Sequence, residues 1–217
     1  MRYTNDLQGA LRLYAVTDRR YGSGTLVARV EQALQGGVTL LQLREKELPQ
    51  EDFIRETGEI GRLTAAYGVP LMVNDCLAAA LCPEAAGLHI GQEDMEAAAA
   101  RRALGPEKIL GVSAASIEEA LAAEAAGADY LGVGAIFPTA TKKDARAVSP
   151  EELTAICRAV KIPVVAIGGL NAENLPRLRG TGIAGAAVVS ALFAAPDIKK
   201  AAALLRRQID EIIGGIP

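Results

Sequence analysis

The sequence is informative first through what it lacks. Its 217 residues contain no tryptophan, one histidine and three cysteines, and aromatic residues make up 4% of the chain. A single histidine excludes a zinc site built from histidine and cysteine, and it argues against a Ser-His-Asp hydrolase. The cysteines are few and show no Cys-x-x-Cys spacing, which indicates free thiols and a cytoplasmic location. With so few aromatic residues, a surface for stacking nucleic-acid bases is not expected.

Charge excess and long apolar runs are also missing. The chain carries 23 basic and 26 acidic residues, for a formal net charge of −3, and nucleic-acid or membrane surfaces normally require a basic excess. The longest uncharged run, Gly180–Pro196, is shorter than the ~20 apolar residues of a membrane span and contains several glycines. We therefore expect neither a nucleic-acid partner nor a membrane partner.

Half of the residues are hydrophobic, which is enough for one large core. Short apolar runs alternate with helical patterns along the whole sequence. The predicted strands are Leu11–Val16, Thr39–Leu43, Leu71–Asn74, Gly87–Ile90, Lys108–Val112, Tyr130–Val133, Val164–Ile167 and Ala186–Val189. The predicted helical segments are Leu26–Gln35, Glu51–Tyr67, Met95–Leu104, Ile117–Ala126, Pro150–Val160, Glu173–Arg179 and Ile198–Ile213.

This alternation indicates βαβ units and a parallel sheet. We expect an α/β protein consisting of a single (β/α)8 TIM barrel, one catalytic domain over residues 1–217. An open doubly wound sheet is the alternative. No Gly-x-Gly-x-x-Gly follows the first strand, which weakens the dinucleotide-binding version of that alternative.

Polar residues gather after the predicted strands, where the active sites of such barrels lie. In Gln42-Leu43-Arg44-Glu45-Lys46, alternation along a strand would turn Gln42, Arg44 and Lys46 to the same side. Burying unpaired charge is costly, so these side chains predict an anion site. An amphipathic edge strand with a solvated face is the alternative.

Two carboxylates, Asp75 and Asp94, follow the third and fourth predicted strands. Magnesium in proteins is often held by one or two carboxylates together with water and substrate phosphates. The cations Arg44, Lys46 and Lys142 would neutralise the remaining phosphate charge. Alternatively, Asp75 belongs to a strand-end turn and Asp94 caps a helix.

The last two strand ends suggest a second anion site. Gly168 and Gly169 lack Cβ atoms, so an anion could approach the backbone closely, and Ser190 adds a hydroxyl. A simple glycine turn is the alternative. The remaining candidates are weaker: His89 is expected to be an interior barrel residue, and Tyr14 and Tyr130 are expected in the core.

Six motifs occur in register along almost the whole barrel. They are Gln-Leu-Arg-Glu-Lys at 42–46, Asn-Asp at 74–75, Gly-Leu-His-Ile-Gly-Gln-Glu-Asp at 87–94, Gly-Val-Ser at 111–113, Thr-Ala-Thr-Lys-Lys-Asp at 139–144 and Ile-Gly-Gly at 167–169. With them the chain closely resembles the thiamine-phosphate synthase family. The resemblance implies a pyrophosphate-releasing transferase that joins hydroxymethylpyrimidine diphosphate to a thiazole phosphate. It also implies a dissociative substitution assisted by Mg2+.

The resemblance implies roles for individual residues. The pyrimidine diphosphate would be bound by Gln42, Arg44, Lys46, Asn74, Ser113 and Lys142. Mg2+ would be held by Asp75 and Asp94, and the thiazole phosphate by Thr139, Thr141, Gly169, Val189 and Ser190. No acid or base catalyst is implied. The chain departs from common members at Cys76-Leu77-Ala78, at Ala114-Ala115 and at Ala135.

Two alternatives belong to the same barrel type: a thiazole tautomerase and a non-catalytic barrel that binds a phosphorylated ligand. Such relatives do not require both the acid pair and the full basic set that this chain carries. The sequence leaves the oligomeric state open, so a monomer and a homo-oligomer are both compatible with it. It also leaves open whether the thiazole substrate is carboxylated.

Overall fold

The computed structural model describes residues 6–21, 23–139, 141 and 146–214. Eight parallel strands pair in chain order and close into a barrel, with β8 hydrogen-bonded to β1. The strands are β1 (Leu13–Val16), β2 (Leu40–Leu43), β3 (Leu71–Asn74), β4 (Gly87–Ile90), β5 (Ile109–Ala114), β6 (Tyr130–Val133), β7 (Val164–Ile167) and β8 (Gly185–Val188). The predicted (β/α)8 barrel is confirmed, and the open doubly wound sheet is excluded.

Helices cover the outside of this barrel, except the first, whose Leu7 packs against the barrel interior. They are α1 (Leu7–Ala10), α2 (Leu26–Gln35), α3 (Gln50–Ala66), α4 (Leu77–Ala80), α5 (Ala97–Leu104), α6 (Ile117–Ala125), α7 (Pro150–Ala159), α8 (Ser190–Phe193) and α9 (Ile198–Gly214). The predicted helix over Glu173–Arg179 is instead a short 3-10 helix, Leu175–Leu178. Pro176 restricts that segment because proline fixes φ and donates no backbone hydrogen bond. Helices α1, α4 and α8, of four residues each, are too short for a helical period to reveal.

Local sequence signals set where several helices begin. The Ser149 hydroxyl accepts a hydrogen bond from the Glu152 backbone N–H at 3.1 Å, and the Glu152 carboxylate accepts one from the Ser149 N–H at 2.7 Å. This capping box satisfies two backbone donors at the start of α7, where Pro150 is the first helical residue. Thr25 and Ser116 cap α2 and α6 in the same way, with one side-chain bond each.

The apolar core has two parts. The larger part lies between the strands and the helices, and the smaller part fills the barrel interior. The interior residues are Leu11, Tyr14, Val16, Leu40, Met72, Ala86, Ile109, Tyr130, Val165 and Ala187. Because these side chains fill the barrel, ligands must bind at its ends, and the carboxyl ends of the strands carry the polar residues.

Over the described ranges, no helix is both long enough and apolar enough to cross a membrane. Cys76, Cys82 and Cys157 are free thiols and are partly buried. Burial raises the pKa of Cys157 to about 11, so this thiol is protonated at neutral pH and is a poor nucleophile.

Candidate active site

The end of β2 presents one predicted site residue from inside the strand and two from beyond it. Gln42 lies in β2 and is 4% exposed, and its Nε2 donates to the Tyr14 hydroxyl at 2.5 Å. Arg44 and Lys46 follow the last strand residue, Leu43, so the alternation of side chains along a strand does not determine where these two side chains point. Arg44 is partly buried, whereas Lys46 is exposed.

Arg44 is held near the strand end by the segment that follows β1. Its backbone N–H donates to the Thr17 hydroxyl at 2.9 Å, and its Nη1 lies 4.0 Å from Asp18 Oδ2. Asp18 makes its shorter ion pair with Arg20, at 2.6 Å, and this hydrogen bond is the main reason that the pKa of Asp18 is lowered. Because Asp18 is engaged mainly by Arg20, the Arg44 guanidinium keeps positive charge to offer to an anion.

A second ion-pair group supports the same strand end. Arg19 Nε lies 2.5 Å from Glu45 Oε2, and its Nη2 also bonds to Glu56 on α3. The Glu45 side chain is only 4% exposed, and its burial raises the pKa of the carboxyl. Arg19 therefore joins the segment after β1 to the segment after β2, which contains Arg44 and Lys46.

Asp75 and Asp94, the predicted metal ligands, lie side by side. Burial, followed by the adjacent Asp94 carboxyl, raises the pKa of Asp75 to about 6, and the nearby Lys46 opposes this shift. Asp75 has φ +59°, a left-handed conformation that is uncommon outside glycine. Two neighbouring carboxylates and a strained backbone are unfavourable in isolation, and such features are typical of binding sites.

The alternative role for Asp94, as a helix cap, is not what the structure has. Helix α5 begins after Glu96, not directly after Asp94. Asp94 Oδ2 instead accepts a hydrogen bond from the Gly91 backbone N–H at 2.7 Å, which ties the carboxylate to the end of β4. This bond orients Asp94 beside Asp75.

The carboxylate oxygens of Asp75 and Asp94 are suitable ligands for a hard divalent cation. A cation would compensate both the burial and the Asp94 repulsion that raise the pKa of Asp75. Among the residues with assigned structure, no three His, Cys, Asp or Glu side chains form a complete metal cage. An ion here would therefore take its other oxygen ligands from water or a bound phosphate, which is the usual arrangement for magnesium.

A cavity of about 280 Å3 lies among the carboxyl ends of β5 to β8, and Gln92 and Glu93 from the segment after β4 also line it. Its lining includes Ser113 and all five residues predicted for the thiazole phosphate: Thr139, Thr141, Gly169, Val189 and Ser190. Ser113 lies inside β5, which continues two residues beyond the predicted strand. Lys142 lies outside the described residues. The fold thus gathers residues that are as much as 98 positions apart in sequence (Gln92 and Ser190) around one cavity.

Packing explains why the two residues after β7 are glycines. Gly168 and Gly169 have φ values of +98° and +64°. A Cβ at Gly169 would lie 2.5 Å from the Pro138 carbonyl oxygen, and one at Gly168 would lie 2.6 Å from Ala135 Cα. The segment after β6 thus packs directly on these glycines, and this contact sets the floor of the cavity.

Sequence reasoning assigned no role to four polar residues of the cavity, namely Gln92, Glu93, Glu119 and Arg146. Arg146 lines it and pairs loosely with Glu152 at 3.8 Å, so a cation is present that no motif indicated. Gln92 donates to the Ser113 carbonyl oxygen at 2.6 Å, and Glu119 accepts from the Ala115 N–H at 2.7 Å. The available signal was position, since Gln92 follows β4 and Arg146 follows the Thr139–Thr141 segment.

Comparison with known proteins identifies the family. Residues 13–192 match the family model described as thiamine monophosphate synthase. The chain belongs to the thiamine monophosphate synthase family. A thiamine-phosphate synthase of Ruminiclostridium cellulolyticum is 52% identical over 191 residues, covering 88% of this chain and 91% of that protein. A thiamine-phosphate synthase of Pyrococcus horikoshii is 47% identical over 204 residues, covering 94% and 97% respectively.

A solved structure agrees with this family assignment. The thiamine phosphate pyrophosphorylase from Pyrococcus furiosus superposes with a TM-score of 0.89 at 42% identity, over 96% of this chain and 100% of that one. The departures from common family members at Ala114, Ala115 and Ala135 all fall in the cavity lining. They therefore bear on the shape of the site itself.

Proposed function

We propose that this chain condenses hydroxymethylpyrimidine diphosphate with a thiazole ethyl phosphate, giving thiamine phosphate and pyrophosphate. The observation that carries the proposal is the meeting of two sets of anion-suited residues at one end of the barrel. Arg44, Lys46 and the Asp75–Asp94 pair lie at the ends of β2 to β4, and the cavity occupies the ends of β5 to β8. Two phosphorylated partners fit this arrangement better than one.

In this proposal the pyrimidine diphosphate lies at the ends of β2 to β5. Gln42, Asn74 and Ser113 would hold its polar groups, and Arg44, Lys46 and Lys142 would bind the diphosphate. Arg44 is suited to bidentate binding of phosphate oxygens because its guanidinium presents paired donors. Asp75 and Asp94 would hold a Mg2+ ion, which would supply further charge stabilisation to the leaving pyrophosphate.

The thiazole phosphate would occupy the cavity. Thr139, Thr141 and Ser190 offer hydroxyl donors there, and Gly169 and Val189 offer backbone polar groups. Arg146, which the sequence did not single out, adds a positive charge at the rim. Binding both partners side by side converts a bimolecular reaction into an effectively unimolecular one, which contributes ~7–11 kcal/mol of barrier lowering in favourable cases.

The chemistry follows from these positions. The bond between the pyrimidine methylene carbon and the diphosphate oxygen breaks, and its electron pair leaves with pyrophosphate. Arg44 and Lys46 stabilise the charge that develops on this leaving group. The aminopyrimidine ring delocalises the resulting cation, and the thiazole nitrogen lone pair forms the new C–N bond. No strong general base is needed for this sequence of steps.

Pyrophosphate release by purified protein tests the proposal. We expect release only when both phosphorylated substrates and Mg2+ are present, and its loss on addition of EDTA. Asp94→Ala should remove the metal-dependent turnover and leave a folded protein, while Glu59→Ala on the exposed side of α3 serves as the matched control. A folded wild-type protein that releases no pyrophosphate would contradict the proposal. It would favour a thiazole tautomerase or a barrel that only binds a phosphorylated ligand.

The free thiols and the small phosphorylated substrates favour a cytoplasmic enzyme. The proposed activity requires no nucleic-acid partner and no membrane partner. It is compatible with a monomer or a homo-oligomer, because both sets of residues come from one chain.

A further inference from the structure

A chain of side-chain hydrogen bonds crosses the barrel interior below the site. Gln42 Nε2 donates to Tyr14 Oη at 2.5 Å, Tyr14 Oη lies 2.8 Å from Tyr130 Oη, and Tyr130 Oη lies 2.9 Å from His89 Nδ1. His89 Nε2 lies 3.0 Å from Ser113 Oγ. The five residues belong to five different strands, and the two ends of the chain are both proposed substrate ligands.

The strands β5 and β6 leave space for the side chains of this hydrogen-bond chain. A Cβ on Gly111 would lie 2.2 Å from Tyr130 Cζ and 2.5 Å from His89 Nδ1, and one on Gly132 would lie 3.1 Å from His89 Cε1. Two inward positions of β5 and β6 are therefore left without side chains, and the tyrosine and histidine rings use that space. Tyr14 and Tyr130 are 2% and 0% exposed, so their hydroxyls are shielded from water.

One direction of donation gives every proton of this hydrogen-bond chain an acceptor. Burial raises the pKa of both tyrosine hydroxyls, so each keeps one proton. Tyr14 accepts from Gln42, and its own buried proton needs an acceptor, for which Tyr130 Oη lies at 2.8 Å. Tyr130 in turn donates to His89 Nδ1, which makes His89 the Nε2–H tautomer and a donor to Ser113. Ser113 receives this bond, so its own proton is available to a ligand at the end of β5, where the pyrimidine diphosphate is proposed to lie.

We propose that Tyr14, Tyr130 and His89 are positioning residues that fix Ser113 as a hydrogen-bond donor toward the substrate and fix the amide orientation of Gln42. Ser113 would then select an acceptor, such as a phosphate oxygen or a ring nitrogen, and disfavour a donor. The assignment of Gln42 and Ser113 to the pyrimidine diphosphate rests on the proposed function. The direction of the hydrogen-bond chain does not rest on it.

The tautomer of His89 reports this direction. Because the sequence contains one histidine, 15N labelling of histidine gives one pair of ring-nitrogen signals. We expect the unliganded protein at neutral pH to show Nε2 protonated and Nδ1 unprotonated. An Nδ1–H tautomer would mean that the chain runs the opposite way, with Ser113 donating to His89, and it would overturn the proposal. A doubly protonated ring or an averaged pair of tautomers would overturn it as well.

Removing the central hydroxyl tests the effect on the substrate. Tyr130→Phe cuts the chain between Tyr14 and His89, and we expect the KM for the pyrimidine diphosphate to rise about tenfold, as for the loss of buried hydrogen bonds. The KM for the thiazole phosphate should stay unchanged, and the His89 signals should shift toward a mixture of tautomers. Tyr67→Phe is the matched control, since the Tyr67 hydroxyl bonds to Glu31 on the exposed outer surface.

A double-mutant cycle separates positioning from folding. If the network acts through Ser113, then Tyr130→Phe should have little further effect on the pyrimidine KM in a Ser113→Ala background. Additive effects, or an equal rise in both KM values, would leave only a structural role and would contradict the proposal. If the expected tautomer is found in a protein that releases no pyrophosphate, the proposed function fails while the inferred direction stands.

Discussion

Replacing Asp75 by asparagine should stabilise the metal-free fold while it removes activity. Asparagine has nearly the same shape and tolerates the left-handed conformation that Asp75 adopts at φ +59°. It lacks the negative charge that faces Asp94. The substitution therefore removes the repulsion between the carboxylates and keeps the local backbone.

The magnitude follows from the pKa of Asp75, which burial and the Asp94 carboxyl raise from 3.8 to about 6. A rise of about two pKa units corresponds to about 3 kcal/mol for a fully buried group. Asp75 is only half-buried, and solvent screens its charge, so we expect about 1 kcal/mol. For a chain of this length, this corresponds to an increase in Tm of about 2–4 °C.

The sign of the pH dependence is also fixed. The folded protein binds the Asp75 proton more tightly than the unfolded chain does, because the pKa of Asp75 is raised from 3.8 to about 6. The stability contributed by this proton is present in full below the unfolded pKa and is lost as pH rises through the folded pKa. The stabilisation by Asp75→Asn should therefore be largest at about pH 8 and should shrink as pH falls from about 6 toward about 4.

Thermal unfolding in EDTA at a series of pH values measures this effect. Glu59→Gln on exposed α3 removes the same charge outside the site and should show no comparable pH-dependent gain. Added Mg2+ should raise the Tm of the wild type more than that of Asp75→Asn. An Asp75→Asn protein that is less stable than the wild type at about pH 8 would refute the account of the acid pair.

Three further substitutions test other parts of the site. Gly169→Ala should destabilise the fold by about 2–4 kcal/mol in denaturant unfolding, because the new Cβ would meet the carbonyl oxygens of residues 137 and 138. Gly68→Ala, at a similar positive φ but in open space, should cost only about 1 kcal/mol, and equal costs would contradict the packing argument. Asp18→Asn should cost about 1–2 kcal/mol of stability and raise the KM for the pyrimidine diphosphate several-fold, because Asp18 helps to hold the Arg44 guanidinium in place; an unchanged KM would exclude this role. Arg19→Gln should lower the Tm because its bonds to Glu45 and Glu56 are lost. The KM for the pyrimidine diphosphate should also rise, because the segment that contains Arg44 loosens. A change in Tm alone would mean that Arg19 only stabilises the fold.

The barrel was predictable because its signals are local and repeated. Each strand is a short apolar run, and a helix-ending glycine precedes several of them, so eight units could be counted directly. Strand ends were less predictable. β5 continues to Ala114 because Ser113 and Ala114 pair with Gly132 and Val133 of β6, a contact that the order of residues in β5 does not express.

The residues of the candidate site were more predictable than their conformations and contacts. Positions after strands brought out the acid pair, Arg44, Lys46 and the glycines after β7, because strand ends converge. The family resemblance implied Thr139, Thr141 and Val189. The φ of Asp75 and the bond from Gly91 to Asp94 depend on how neighbouring loops pack. Likewise, the sequence predicts Tyr14 and Tyr130 only as core residues, because their hydrogen bonds to each other and to His89 form between strands that meet when the barrel closes.

Two separate ends of one site are proposed to hold the two phosphorylated substrates. Steady-state kinetics with both substrates varied, for Arg44→Gln and Ser190→Ala beside the wild type, distinguish these two ends. We expect Arg44→Gln to raise the KM for the pyrimidine diphosphate alone and Ser190→Ala to raise the KM for the thiazole phosphate alone. If both variants raised the same KM, or each raised both equally, the assignment of the two ends would be wrong.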